Sequence, residues 1–382
     1  MDPVSHGLAS FALTRAIFPR ASRLTIVAAV VAGTIADIDG LSARFGPAAY
    51  LDWHRTLLHS ATAAIAFAVV VSIAVSAISR VRPSKEALPI TFLAALCASL
   101  LHLGLDVCQS DGVQLLWPFR RQRFALDWVA WVDLWMLGVL LLGVLLPKLF
   151  GLVTEEIGAK ARGPRGRWGA AIALGIVVLY IGTRAILHGN AVAMLESRMY
   201  RGESPRRVAA FAESDSPLHW HGVVETERAL HDLDLELGFG ASFSPDAAQV
   251  SYKPDPSPAL EAARNTDAAK KFLDTARFPK ASVERTMTGF RIEIRGLPYA
   301  RDAHDGWRVL AVIETDPNAK VLNQEIVWDP ASKELWWSNL NSYERGTVGF
   351  AIFRLNTELL TGFLRRFPLE YRTRKYVTHR NE

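Results

Sequence analysis

Histidines and aspartates recur at ligand-like spacings through the first 133 residues. His102 and Asp106 in HLGLD are the most informative pair, because a helix places residues i and i+4 one turn apart on one face. Together they offer an imidazole nitrogen and a carboxylate oxygen, a set that Zn2+ accepts and that also suits Mn2+ or Fe2+. Taken alone, HxxxD is a weak signal and is more often a helix-surface or helix-capping pair. HRTLLHS adds His54 and His59, which cannot share a face of a regular helix. That spacing predicts His54 in the turn that leads into the helix and His59 inside it. Arg55 beside them carries a planar fork suited to a phosphate or carboxylate oxygen, although Arg and His also anchor spans at an interface. Asp37 and Asp39 flank Ile38 at the end of an apolar run. In an extended segment both carboxylates point to one side and could bridge metals; the alternative is that they end a helix in water. Carboxylates oppose the dipole at a helix C-terminus, which favours a cation nearby. His6, Asp111, Asp127 and Asp133 complete the set.

The elements that must hold these residues are membrane helices. The 382-residue chain is half hydrophobic with a net charge of +5, and the apolar runs concentrate in residues 1–190. Segments 61–79, 88–106, 128–150 and 169–187 each approach the roughly 20 apolar residues that cross a bilayer. Segments 3–18 and 24–37 are short and predict a hairpin or an interfacial first helix, giving about four to six membrane helices in all. Lys and Arg gather in PRASR (19–23), RVRPSK (80–85) and KARGPRGR (160–167), the pattern of cytoplasmic flanks. The polar clusters and everything after 188 then face outward. PFRRQR (118–123) resists this scheme by landing outside. Membrane flanks account for the basic residues, so no nucleic-acid partner is expected. Cys97 and Cys108 would stand roughly 16 Å apart on one helix, beyond disulfide reach. Asp2 and His6 stand where a cleavable signal would carry Lys or Arg.

Residues 191–382 read as a soluble α+β domain with mostly antiparallel strands. Segments 218–225, 282–296, 307–315 and 322–328 alternate, while 257–278 and 355–366 have helical composition. His219 and His221 share a strand face and could pair on a metal, though solvent-facing strand histidines are commoner. Trp220, Trp307, Trp328, Trp336 and Trp337 suit a core or a membrane interface, and the basic tail 365–380 a solvated segment or one touching anionic lipid.

Four motifs in this order resemble those of the YdjM-like membrane-bound metal-dependent hydrolases, also described as LexA-binding inner-membrane hydrolases. They are His6-Gly, ADID (36–39), HRTLLHS (54–60) and HLGLDVCQSDGVQLLWPF (102–119). The resemblance covers about the first 150 residues; SPLHW (216–220) and FLDTARFP (272–279) look like the soluble extension of a long subgroup. Ala36 and Leu58 depart from the Pro and Thr often found there, and neither departure removes a proposed ligand. The resemblance implies a metal-dependent hydrolase of the bacterial cytoplasmic membrane. The HxxxD element also looks like part of the zinc-dependent phospholipase C pattern, by analogy alone.

The expected metal ligands are therefore His6, Asp37, Asp39, His54, His59, His102 and Asp106. Asp37, Asp39, Asp111 or Asp127 would accept a proton, and Arg55, with Arg120 or Arg121, would hold an anionic head group. The location points to a lipid or lipid-linked phosphate or ester at the outer face, with the C-terminal domain capping the site or selecting the head group. The competing expectation is a non-enzymatic scaffold or regulator with a structural metal and a protein partner bound by 191–382. Ion transport fits less well, because these groups cluster at span ends and not at mid-membrane.

Overall fold

The computed structural model describes residues 1–78, 87–156, 166–238, 243–297 and 309–329. Its first half is helical. Helix α1 (Pro3–Ile17) begins where the Asp2 carboxylate accepts the N–H groups of Val4 and Ser5 at 3.0 and 2.9 Å, with Pro3 in the first turn. Ser22 caps α2 (Arg23–Ala32) through the Thr25 N–H at 3.1 Å. A 3₁₀ segment (Ile35–Phe45), α3 (Pro47–Trp53) and a short 3₁₀ turn (Leu57–His59) follow. Four longer helices complete this half: α4 (Ala61–Ile78), α5 (Ala87–Val107), α6 (Leu134–Glu156) and α7 (Arg167–Glu196).

Helices α5 and α7 are long and apolar enough to cross a membrane. Two bent pairs, α2 with its 3₁₀ segment and α3 with α4, raise the candidates among the described residues from two to four. Ile65, Val69, Val70 and Ile73 of α4 and Ile172, Ile176, Val178 and Leu179 of α7 are exposed, giving the bundle an apolar outside. Its inside is lined by small residues that let backbones approach. Ala28, Ala29 and Ala32 of α2 meet Ala68 of α4 and Ala94, Ala95 and Ala98 of α5. Gly33 has no room for a side chain, because a Cβ there would overlap the Ser10 hydroxyl of α1.

One end of this bundle collects the start of α1, the end of α2, the start of α4 and the end of α5. The 108–133 connection ties them together. The Asp2 N–H donates to the Trp131 carbonyl at 3.1 Å, the Ala61 N–H to Leu115 at 3.0 Å, and the Leu126 N–H to Val107 at 2.8 Å. The run expected to span from residue 128 becomes helical only at Leu134. Before that, the N–H groups of Trp128 and Val129 are committed to the Cys108 carbonyl at 2.8 and 3.1 Å, and Asp133 accepts the Met136 N–H at 3.0 Å as the cap of α6.

The C-terminal part has two four-stranded antiparallel sheets, each in chain order. The first is β1 (Arg207–Ala212), β2 (His219–Glu225), β3 (Ala229–Glu236) and β4 (Gln249–Tyr252); the second is β5 (Pro279–Thr286), β6 (Gly289–Gly296), β7 (Val309–Thr315) and β8 (Val321–Trp328). Trp220, Val224 and Leu235 of the first sheet pack on Ala191 and Leu195 of α7. Arg184 of α7 is buried against the same sheet. Its guanidinium donates to the carbonyls of Trp128 and Pro217 and lies 4.3 Å from the Trp220 ring centre.

Between the sheets, the stretch expected as one helix is broken. It forms α8 (Pro258–Arg264) and α9 (Asp267–Leu273), because Thr266 caps a new helix through the Ala269 N–H at 3.2 Å. Segment 282–296 is a hairpin, β5–β6, and not one strand. Strands β1, β3 and β4 were not anticipated. The basic loop 80–85, residues 160–165, the helix expected at 355–366, the tail 365–380 and Trp307, Trp336 and Trp337 lie outside the described residues.

Candidate metal centre

Three elements converge on one buried point. His6 of α1, Asp37 of the 3₁₀ segment, and His102 and Asp106 of α5 each offer a ligand atom, and these atoms lie within 4.8 Å of one another. No other group of three or more His, Cys, Asp or Glu meets that spacing among the described residues. Asp106 is the hub. Its Oδ1 lies 3.2 Å from His6 Nε2, and its Oδ2 lies 3.2 Å from Nε2 of both His102 and His59. Asp37 Oδ1 stands 3.7 Å from His59 Nε2 and 3.9 Å from His102 Nε2. His6 stacks on His102 with ring centres 3.8 Å apart.

The surroundings aim these imidazoles inward. His102 Nδ1 lies 3.0 Å from the Gly33 carbonyl, which only accepts, so Nδ1 carries the proton and Nε2 presents a lone pair. His59 Nδ1 sits 2.8 Å from Asp39 Oδ2, an acid–imidazole pairing that likewise turns Nε2 toward Asp106. Asp39 Oδ1 also meets His54 Nδ1 at 3.1 Å, so Asp39 orients two imidazoles without joining the central four. His102 Nε2 and Asp106 Oδ2 are both buried without a hydrogen-bond partner, as are His6 Nδ1 and Asp37 Oδ2. A neutral His102 would set two acceptors 3.2 Å apart against each other, and unpaired buried polar atoms are costly. A divalent ion removes both problems. Ligand atoms around a tetrahedral ion at ~2.0–2.1 Å stand about 3.3 Å from one another, which the His6 and His102 contacts to Asp106 match while Asp37 stands farther out. The donor set is nitrogen and oxygen only, with Cys97 and Cys108 both free thiols outside it. The buried His/Asp cluster thus could hold a metal ion, and the donors leave its identity open.

Arg55 takes a left-handed backbone (φ 57°), strained for a residue with a side chain. Its N–H donates to Asp39 Oδ2 at 2.8 Å and its carbonyl accepts the Gln114 N–H at 3.2 Å, which holds it there. The buried guanidinium donates to Gln109 Oε1 at 2.8 Å and lies 3.5 Å from Asp111 and 3.7 Å from Asp106. Its Nε and Nη1 have no partner. The Met1 amino group also lies against Asp106 and donates to Gln109 Oε1 at 2.6 Å.

The geometry modifies several expectations. Asp37 and Asp39 do not lie in an extended segment; a 3₁₀ segment separates their tasks, Asp37 toward the centre and Asp39 toward His54 and His59. His59 lies in the 3₁₀ turn before α4 and not within the helix, and His54 directly follows α3. Asp127 is drawn away from the centre, its carboxylate gripped by both arms of Arg277 at 2.5 and 2.8 Å. His219 pairs with Asp215 at 3.1 Å and His221 with Asp232 at 3.0 Å, so the two histidines have separate partners. Gln109, the Gly33 carbonyl and Arg277 were missed. Gln109 stands within HLGLDVCQSDG, the one sequence signal available for it.

Residues 1–191 match the family described as YdjM inner membrane protein. No curated protein and no solved structure matches the chain.

Proposed function

We propose, from the premise that the chain belongs to the YdjM inner membrane protein family, that its membrane half is a divalent-metal-dependent hydrolase. The observation that carries this reading is the orphaned pair His102 Nε2 and Asp106 Oδ2, buried 3.2 Å apart where a cation would satisfy both. His6, Asp37, His102 and Asp106 would hold the ion, with His59 as a fifth donor oriented by Asp39. Zn2+ is the first choice on an N/O donor set, with Mn2+ or Fe2+ also suited. Such an ion, when bound, supplies Lewis acidity toward a phosphoryl or acyl oxygen and acidifies water.

The chain's own groups do the rest. Asp37 is the most exposed of the four central ligands, and Asp111, which faces Arg55, is partly open to solvent. Either can accept a proton from attacking water. The unpaired Nε and Nη1 of Arg55 are donors for an anionic oxygen. The substrate class is a lipid or lipid-linked phosphate or ester, whose apolar part the bilayer delivers. In the finer topology proposed, α1, α2, α4, α5, α6 and α7 all cross the bacterial inner membrane, with the cluster and the C-terminal part at the extracytoplasmic face.

The near-complete burial of His6, His102 and Asp106 favours a second reading, a scaffold whose metal is structural, since structural sites are closed and catalytic ones keep an open position. Purified full chain assayed for phosphate and fatty-acid release from mixed lipids separates the two. Hydrolysis is supported by turnover that falls at least about a hundredfold in His102→Ala and Asp106→Ala. Bound metal with no turnover on any lipid would favour the scaffold.

A further inference from the structure

The basic run PFRRQR (118–123) takes no part in the metal centre and sits where the distribution of Lys and Arg does not place it. It is the tip of a loop closed by Val113 and Phe124, which exchange backbone hydrogen bonds at 3.1 and 2.9 Å. The neck is tied to the site. Gln114 N–H donates to the Arg55 carbonyl at 3.2 Å, and Arg123 Nη2 donates to the His54 carbonyl at 3.3 Å. The ascending limb is tied to the first turn of α4: Ala61 N–H donates to Leu115 at 3.0 Å and Thr62 Oγ1 to Trp117 at 3.0 Å. That turn leads directly into the exposed apolar surface of Ile65, Val69, Val70 and Ile73.

At the tip, Phe119 is 82% exposed, and Arg120, Arg121 and Gln122 are exposed as well. Neither Arg120 nor Arg121 has a side-chain hydrogen bond or ion pair among the described residues. The nearest acids in sequence are already engaged, Asp111 with Arg55 and Asp127 with Arg277. An exposed aromatic ring beside two unneutralised guanidiniums, level with the start of a lipid-facing helix, matches the chemistry of a bilayer interface.

We propose that residues 119–121 bind an anionic phospholipid, with Phe119 entering the boundary of the acyl region and Arg120 and Arg121 meeting the head-group phosphate. The lipid is favoured over a soluble anion because the tip is continuous with the apolar outside of α4. The placement also accounts for the outward basic run, since these arginines belong to a lipid site and not to a topology signal. It brings anionic lipid to a loop whose neck is hydrogen-bonded to the backbone of His54 and Arg55, and it stands whether or not the cluster hydrolyses anything.

The test uses full-length protein in phosphatidylcholine mixed micelles, titrated with phosphatidylglycerol and read by native mass spectrometry. Wild type should bind phosphatidylglycerol, and Arg120→Gln with Arg121→Gln should weaken that binding by about 30-fold, as two lost phosphate-facing cations imply. Arg120→Lys with Arg121→Lys should stay within about fivefold of wild type. Asp106→Asn should bind the lipid normally, which separates this proposal from the metal reading. Unchanged binding in the glutamine variant, equal retention of phosphatidylcholine, or competition by inorganic phosphate would each overturn it.

Discussion

Asp39 orients the imidazoles beside the cluster, although it is not among the four central ligands. One carboxylate aligns His54 and His59 and accepts the Arg55 N–H. Asp39→Asn should therefore leave the ligands in place yet weaken metal affinity by about 10–100-fold, measured by chelator competition. The i/i+4 spacing of His102 and Asp106 made that pair legible in the sequence, as did the recurrence of His and Asp at span ends. Which acid serves which imidazole was not legible, because the 3₁₀ path of residues 35–45 decides it. The Gly33 carbonyl was equally invisible, since a backbone acceptor leaves no mark in residue type.

Burial alone would lower the His219 imidazole, but the hydrogen bond and charge of Asp215 outweigh it and raise the pKa above its ordinary value of 6.5. A raised folded value stabilises when protonated. That contribution is complete below about pH 6.5 and is lost as pH rises through the folded value. Asp215→Asn should flatten the pH dependence of thermal stability above pH 6.5; an unchanged profile would contradict the pairing.

At the scale of elements, close approach of α1 and α2 positions His6 and the Gly33 carbonyl, which accepts from His102 Nδ1. Gly33→Ala should force Ser10 aside and cost about 1–3 kcal/mol, read as a lower melting temperature with weaker metal retention. The longest apolar runs appeared as helices because twenty apolar residues admit few alternatives, as in α5. The strands were harder. RVAAFA of β1 has no polar alternation, because its last four residues are all buried, and so it lacks the period-2 signal. The 128–133 stretch was apolar enough to pass for helix, yet the N–H groups of Trp128 and Val129 are claimed by the Cys108 carbonyl.

For the whole molecule, the telling feature is that the C-terminal part reaches the segments flanking the metal centre. Lys271 pairs with Asp52 at 2.6 Å, and Arg277 holds both Asp127 and the Ser110 carbonyl. Residues 110 and 127 bracket the loop that supplies Asp111, and Gln109 directly precedes that loop. A double-mutant cycle of Arg277→Ala and Asp127→Ala should give a coupling of about 0.5–3 kcal/mol in unfolding, and a value near zero would mean that the grip contributes nothing. The sequence showed a composition change near residue 190 but no sign of this contact, because partners 150 residues apart share no local pattern. The proposed topology makes its own forecast. In intact cells an impermeant thiol reagent should label Gln122→Cys from outside and leave Arg20→Cys unlabelled; the reverse pattern would invert the orientation.

The central claim is that His6, Asp37, His102 and Asp106 hold a divalent ion, and metal content tests it most directly. Full-length protein loaded with Zn2+, Mn2+ or Fe2+ and freed of excess should retain about one ion per chain. His102→Ala and Asp106→Asn should lose them while eluting as folded protein of unchanged size. Wild type that retains none of the three metals, or variants that retain as much as wild type, would contradict the account.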